Sequence, residues 1–166
     1  MRILSIVAMG LLAACSSEAP PADAPAKTAA ALTPGEYAMT STITAFRSTD
    51  GATPLTKSKL GAVTETKACV AADGALDPAI FAEAGDSCTA TNSYSRGGRI
   101  NMQLSCTRPG APGQILPAVD AKYTADAFEG TATTTTYLQG YGDYALTRTI
   151  KGKRVGDCPP AAPAKA

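Results

Sequence analysis

Between residues 34 and 158 the chain alternates apolar and polar side chains in short runs broken by Gly, Asp and Pro. A period of two is the signature of strands with one buried face. The run EYAMTSTITAF, residues 36–46, places Tyr37, Met39 and Ile43 on one side. AVTETKACV, residues 62–70, reads as a second strand, and AFEGTATTTTYL (127–138) and DYALTRTIKGKRV (143–155) as two more, joined by a loop over 139–142. Their Thr and Tyr content favours the extended backbone. GALDPAIFAEAG, residues 74–85, breaks the pattern: Asp77 is placed to cap a short helix, Pro78 suits its first position, and Gly85 would stop it.

The clearest unit runs from Cys88 to Cys106. CTATNSYS and RINMQLSC flank Arg96-Gly97-Gly98. With those residues as a three-residue hairpin loop, Tyr94 faces Ile100, Asn92 faces Met102, Ala90 faces Leu104 and Cys88 faces Cys106. That register gives one largely apolar face and one polar face, and it brings the two cysteines together on the core side. The expected fold is mainly β: an antiparallel, curved sheet or partial barrel with one short helix.

Composition narrows the chemistry. The chain has 166 residues and no histidine, which removes the usual acid–base group near neutral pH and the commonest metal ligand. Fifteen basic side chains stand against 14 acidic ones, and Arg2 would leave with the leader described below. The resulting neutrality argues against nucleic acid as a partner. Five cysteines are present. Cys69, Cys88, Cys106 and Cys158 fit no zinc spacing and contain no C-x-x-C, so in an exported protein they read as two disulfides. The hairpin register selects Cys88–Cys106, which leaves Cys69–Cys158. The second bridge would pin the last strand to the one ending at Cys69, with a stabilisation of about 4 kcal/mol.

The fifth cysteine belongs to an address. Met1-Arg2 is followed by an apolar run, residues 3–12, then Ala13, Ala14 and Cys15. The order positive, apolar, small is that of a secretory signal, here 1–14, and the apolar run is too short to span a bilayer, which takes roughly 20 residues. Leu12-Ala13-Ala14-Cys15 resembles the lipobox of bacterial lipoproteins, in which the cysteine becomes the acylated first residue. That resemblance implies attachment through several acyl chains on Cys15. Ser16, in place of Asp, points to the outer membrane, with the domain facing the periplasm. Residues 15–33 are Pro/Ala-rich and read as a lipidated tether, 34–158 as a single β-rich domain, and 159–166 as a fraying tail.

From Pro34 to Cys158 the chain resembles a family of proteobacterial exported proteins grouped as domain of unknown function 3617. The matching features are Pro34-Gly35-Glu36-Tyr37; Cys69-Val70; a Pro-containing helix at Pro78; Cys88, Gly97-Gly98 and Cys106; Tyr123, Asp126, Phe128 and Gly130; and GKRVGDC, Gly152 to Cys158. Tyr37 departs from a position where the family often has Trp. The resemblance implies an exported β-rich domain and no particular activity.

Candidate contact residues are few. Arg148, Lys151, Lys153 and Arg154 crowd the last strand, as a patch for phosphate-bearing lipid or glycan or as a solvated edge that discourages strand pairing. Tyr137, Tyr141 and Tyr144 flank a glycine loop and could stack on a sugar or simply pack. Serine and lysine are present without a context that activates either, so no catalytic residue, cofactor or metal is expected. Two readings follow: a non-catalytic binding module for a small apolar or lipid-like ligand, or an envelope interaction protein docking a protein partner. A lined interior favours the first, and a solid core with an exposed basic patch the second. Non-reducing peptide maps should link Cys88 to Cys106 and Cys69 to Cys158; a Cys69–Cys88 peptide would refute the hairpin register.

Overall fold

The structure, a computed structural model, describes residues 31–54 and 56–160. The expected signal peptide, Cys15, most of the tether and residues 161–166 lie outside them. Seven strands form one antiparallel sheet that curls into a half-barrel: β1 (Gly35–Ser48), β2 (Val63–Val70), β3 (Ser87–Arg96), β4 (Arg99–Arg108), β5 (Ala111–Tyr123), β6 (Ala127–Leu138) and β7 (Tyr144–Gly156). The order across the sheet is β2-β1-β7-β6-β5-β4-β3. Strands β3 to β7 are a meander, β1 lies against β7, and β2 and β3 are the two edges. The chain therefore has to pass from one edge to the other through residues 71–86, which we call the crossover.

The apolar alternation builds the concave face. Tyr37, Met39 and Ile43 of β1 are buried as expected, and Tyr37 and Met39 join Ile100, Met102 and Leu104 of β4, Ile115 and Val119 of β5, and Leu146 and Ile150 of β7. A sheet must cover such a face with another layer. Here the cover is the crossover, whose Leu76, Ile80 and Phe81 are buried in the same core. The Phe81 ring meets Phe128 edge-on at 6.1 Å. The expected helix is shorter than its sequence suggests: one 3-10 turn, Pro78–Phe81, capped by the Asp77 carboxylate accepting from Ala79 N–H at 2.9 Å. It ends at Ala82 instead of running to Gly85, because the chain must already be turning towards β3.

Both disulfides form as expected, and both brace the ends of the crossover. Cys69–Cys158 spans β1, since Cys69 pairs with Glu36 and Glu36 with Gly156. Cys88–Cys106 ties β3 to β4 at the start of the other edge.

Two features correct the sequence reading, and a third lies where the sequence reading placed no element. The hairpin keeps the expected register from Cys88↔Cys106 to Ala90↔Leu104, then slips by one residue at a bulge around Thr91. Beyond it Ser93 faces Met102, Ser95 faces Ile100 and Tyr94 faces Asn101. The loop is thus Gly97-Gly98 alone, both with positive φ, the conformation two-residue hairpin turns favour. Tyr94 consequently points outward, under the Arg96 guanidinium 4.6 Å from its ring centre. Second, β3 is exposed on nearly every position instead of half-buried, because as an edge strand it extends past the crossover. Third, β5 is a central strand that contains Pro117. Its ladder to β4 runs from Gln103↔Ala118 to Cys106↔Ile115 across this residue, which brings no N–H to bond. In addition, Leu32 is buried and Thr33 N–H bonds the Ala125 carbonyl at 2.7 Å, so the folded unit begins just before Pro34.

Small residues let the sheet curl. Gly152 faces the core where the Phe128 ring lies over its backbone, and a Cβ there would sit 2.2 Å from ring carbons. Replacing Gly152 by Ala should overpack this contact and cost about 1–3 kcal/mol. It would be read as a lower urea midpoint at unchanged m-value.

Candidate functional site

Alternation along β7 separates the candidate contact residues that sequence places together. Tyr144, Leu146, Arg148 and Ile150 face the concave side and are buried; Lys151 and Lys153 are exposed, and of these Lys151 opposes Thr40 and Glu129 on the convex face. Arg154 sits at the strand end, donating to the Pro34 carbonyl at 2.9 Å and to the Asp157 carboxylate at 2.6 Å. Tyr141 packs against the core rim, and Tyr137 is exposed. No single basic strand patch exists; there is an interior guanidinium and a separate outer group.

The interior group is a polar layer between the crossover and the sheet. Arg108, near the end of β4, holds Asp86 with two bonds, Nε to Oδ1 at 2.6 Å and Nη2 to Oδ2 at 3.0 Å. Asp86 has a fully buried side chain and Glu83 a nearly buried one. Glu83 Oε2 accepts from Tyr144 Oη and from Ser58 Oγ, each at 3.1 Å, and lies 3.4 Å from Arg108 Nη2. Arg108 Nη2 also donates to Tyr144 Oη at 3.1 Å. The Asp86 bonds hold the Arg108 guanidinium above its ordinary value. Burial, aided by the Glu83 charge, pushes the Tyr144 phenol up to about 12.

Arg148 lies at the middle of the concave face and is only 4% exposed. It donates Nη2–H to the Phe81 carbonyl on the crossover, while its Nε–H meets no acceptor. Burial pulls this guanidinium below its ordinary value, and Glu83 is near enough to oppose the shift. Among the described residues no carboxylate stands within ion-pair distance of it. Three further buried atoms are unpartnered: Ser41 Oγ, Thr134 Oγ1 and Glu83 Oε1. Arg148 opposes Ile43 on β1 and Ala132 on β6, so Ser41 and Thr134, two residues along on those strands, are its diagonal neighbours.

Arg148 also ends an apolar row. Met102, Val119, Ala132 and Arg148 oppose one another in turn across β4, β5, β6 and β7. Beside Met102 a gap of about 200 Å³ opens between the crossover at Gly74–Leu76 and the strand residues Ser93, Ser95 and Ile100.

A second concavity of about 580 Å³ lies near the β3–β4 and β5–β6 turns. Its exposed members Arg99, Lys122, Glu129 and Lys151 oppose one another across four strands, which puts three cations and one anion on the outer face. It adjoins Ala125, to which Thr33 bonds. Among the described residues no group of three or more His, Cys, Asp or Glu side chains is arranged to hold a metal ion.

Sequence reasoning singles out Arg148 and Tyr144 but misses Glu83, Asp86 and Arg108. The first two acids sit in the aperiodic crossover, and Arg108 beyond the last paired cysteine; their only signal is proximity to Cys88 and Cys106.

The Tyr144 shift has a definite pH consequence. Its folded pKa lies above its unfolded value near 10, so the native state holds the proton more tightly. The stability it contributes is complete below pH 10 and is lost as pH rises from 10 to about 12. Urea midpoints measured across that window should fall more steeply for the native chain than for Tyr144→Phe, and the phenol absorbance change near pH 12 should be smaller in the variant.

A family model described as protein of unknown function (DUF3617) matches residues 32–158. No curated protein and no solved structure matches the chain.

Proposed function

The chain belongs to the family described as protein of unknown function (DUF3617), and we propose that it is a non-catalytic binding module of the bacterial envelope that takes a small apolar or lipid-like ligand beneath its crossover. In this reading Cys15 carries the acyl chains, the anchor lies in the outer membrane, and the domain faces the periplasm on its tether. The observation that carries the proposal is how the concave face is closed. A solid core would argue against an interior ligand, and this face is filled. Its filling, however, is Leu32 of the N-terminal segment and, for the most part, one segment clamped by a disulfide at each end and bearing two deeply buried large side chains, Ile80 and Phe81. The stretch 77–85 of that clamped segment belongs to no ladder, so it can lift at the expense of side-chain bonds such as Thr66 Oγ1 to the Ile80 carbonyl while the sheet stays paired, and its removal would expose an apolar trough.

The outer concavity supports a second reading. Arg99, Lys122 and Lys151 beside the end of the tether suit an acidic protein partner docking on the convex face. The Cys15→Ser chain, secreted to the periplasm, separates the two. Titrated with a neutral apolar fluorophore such as N-phenyl-1-naphthylamine, it should bind in the interior. Phe81→Ala, which shortens the internal occupant, should bind about tenfold tighter, since burying a Phe side chain stabilises by about 1.5–3 kcal/mol. Absence of binding by both chains would reject the ligand reading, and cross-linking through Lys122 and Lys151 would then test the docking one.

A further inference from the structure

We infer that the interior site takes an anionic single-chain amphiphile, with its carboxylate or phosphate oxygen on Arg148 and its apolar chain along Val119 and Ala132 towards Met102. The inference rests on the proposed interior site and names what that site selects. Its starting point is an unmet demand. A buried guanidinium is ordinarily paired with an acid and has its N–H groups satisfied, because an uncompensated buried charge is costly. Arg148 has neither: one Nη2–H reaches a backbone carbonyl, and Nε–H reaches nothing. Ser41 Oγ and Thr134 Oγ1, its diagonal neighbours on the two adjoining strands, are buried and unpartnered as well. Ser41 stands opposite Ile150 and Thr134 opposite Leu146, so the two hydroxyls lie to either side of Arg148, and its guanidinium edge alone presents the unmet donor at the centre of the face. An oxyanion meets that cationic donor with charge as well as a hydrogen bond, and a neutral hydroxyl meets it less well.

The surroundings specify the rest of the molecule. Ala132, opposite Arg148, and Ala121 and Gly130 in the next row are small, so lifting the crossover would leave room for a chain along the sheet. From Arg148 to Met102 the row crosses three strand spacings, about 14 Å at ~4.8 Å each, and it ends at the gap beside Met102. A dodecyl chain suits that run. The crossover already mimics such a ligand: the Phe81 carbonyl oxygen occupies the head position on Arg148, and the Ile80 and Phe81 side chains fill the apolar space. Binding would exchange one for the other.

The test compares dodecanoate, dodecyl phosphate and dodecanol, each below its micellar concentration, by displacement of the neutral fluorophore from the Cys15→Ser chain. At least one of the two anions should bind about tenfold or more tighter than the alcohol, as a charge-assisted hydrogen bond in place of a neutral one implies. The tighter anion identifies the head group. Arg148→Gln should abolish that preference while leaving dodecanol within about threefold. In the wild-type chain, which avoids any folding defect of the variant, the Arg148 Nε–H proton resonance should move downfield with the anion and not with dodecanol. Equal binding of anions and alcohol, or a preference that survives Arg148→Gln with an unmoved Nε–H resonance, would overturn the inference and leave the interior site standing, with ordered water as the partner of these atoms. Failure of all three to displace a fluorophore that does bind would also overturn it. Failure of the fluorophore itself would remove the site on which it rests.

Discussion

The fold depends on one passage of chain. An open seven-stranded sheet has two edges, and in this topology the chain finishes one edge at Val70 and must begin the other at Ser87. The route between them runs over the concave side. That necessity supplies the second layer which the sheet otherwise lacks. Ile80 and Phe81 cover a face built by alternating residues of five strands, and no long helix or second sheet is needed. A cover this small leaves little margin in a domain of this size, and the disulfides answer it. Closing the shorter loop contributes roughly 3 kcal/mol and the longer one over 4 on chain-entropy grounds. Their placement matters as much as their strength, since each fixes one end of the passage where it leaves the sheet.

Beneath the passage lies a polar layer that an economical core would omit. Arg108 and Arg148 are matched in number by Glu83 and Asp86, so the layer is neutral as a whole, but the bonding is uneven. Arg108 makes two bonds to Asp86 and shares Tyr144 and Glu83. Arg148 is left with a carbonyl. Replacing buried ion pairs by apolar side chains is often neutral or stabilising, so their retention calls for another reason. The Arg108 half latches the crossover end nearest Cys88 in one position. The Arg148 half holds its middle by a single bond that a better acceptor could take.

Much of this was legible in the chain. The period of two located β1, β2, β6 and β7, and the opposed cysteines of a Gly-Gly hairpin identified both bridges. Even the burial of Arg148 is written in the alternation Tyr144, Leu146, Arg148, Ile150, which puts a cation on an apolar face. It was obscured by treating Arg148 with Lys151, Lys153 and Arg154 as one run, although successive residues of a strand point to opposite sides. Other features leave no local trace. The slip near Thr91 follows from how two strands twist together, and Pro117 is a residue that a central strand ordinarily excludes. Glu83 and Asp86 gain their meaning only once the crossover folds back over β7 and β4.

Energetically, lifting the crossover is an exchange more than an opening. Exposing Ile80 and Phe81 would cost about 3–6 kcal/mol if nothing replaced them. An apolar chain of similar area restores the same term, so hydrophobic burial alone barely distinguishes the closed state from a filled one. The difference then falls on the polar contacts made at the centre of the face. Arg108 and Asp86 keep their pair as long as the anchored end stays down, and Cys88 holds it there. What would change hands on binding of the proposed ligand is the acceptor at Arg148. In the proposed site, where the apolar terms would cancel, a single buried guanidinium would decide which occupant wins by the charge of the atom presented to it.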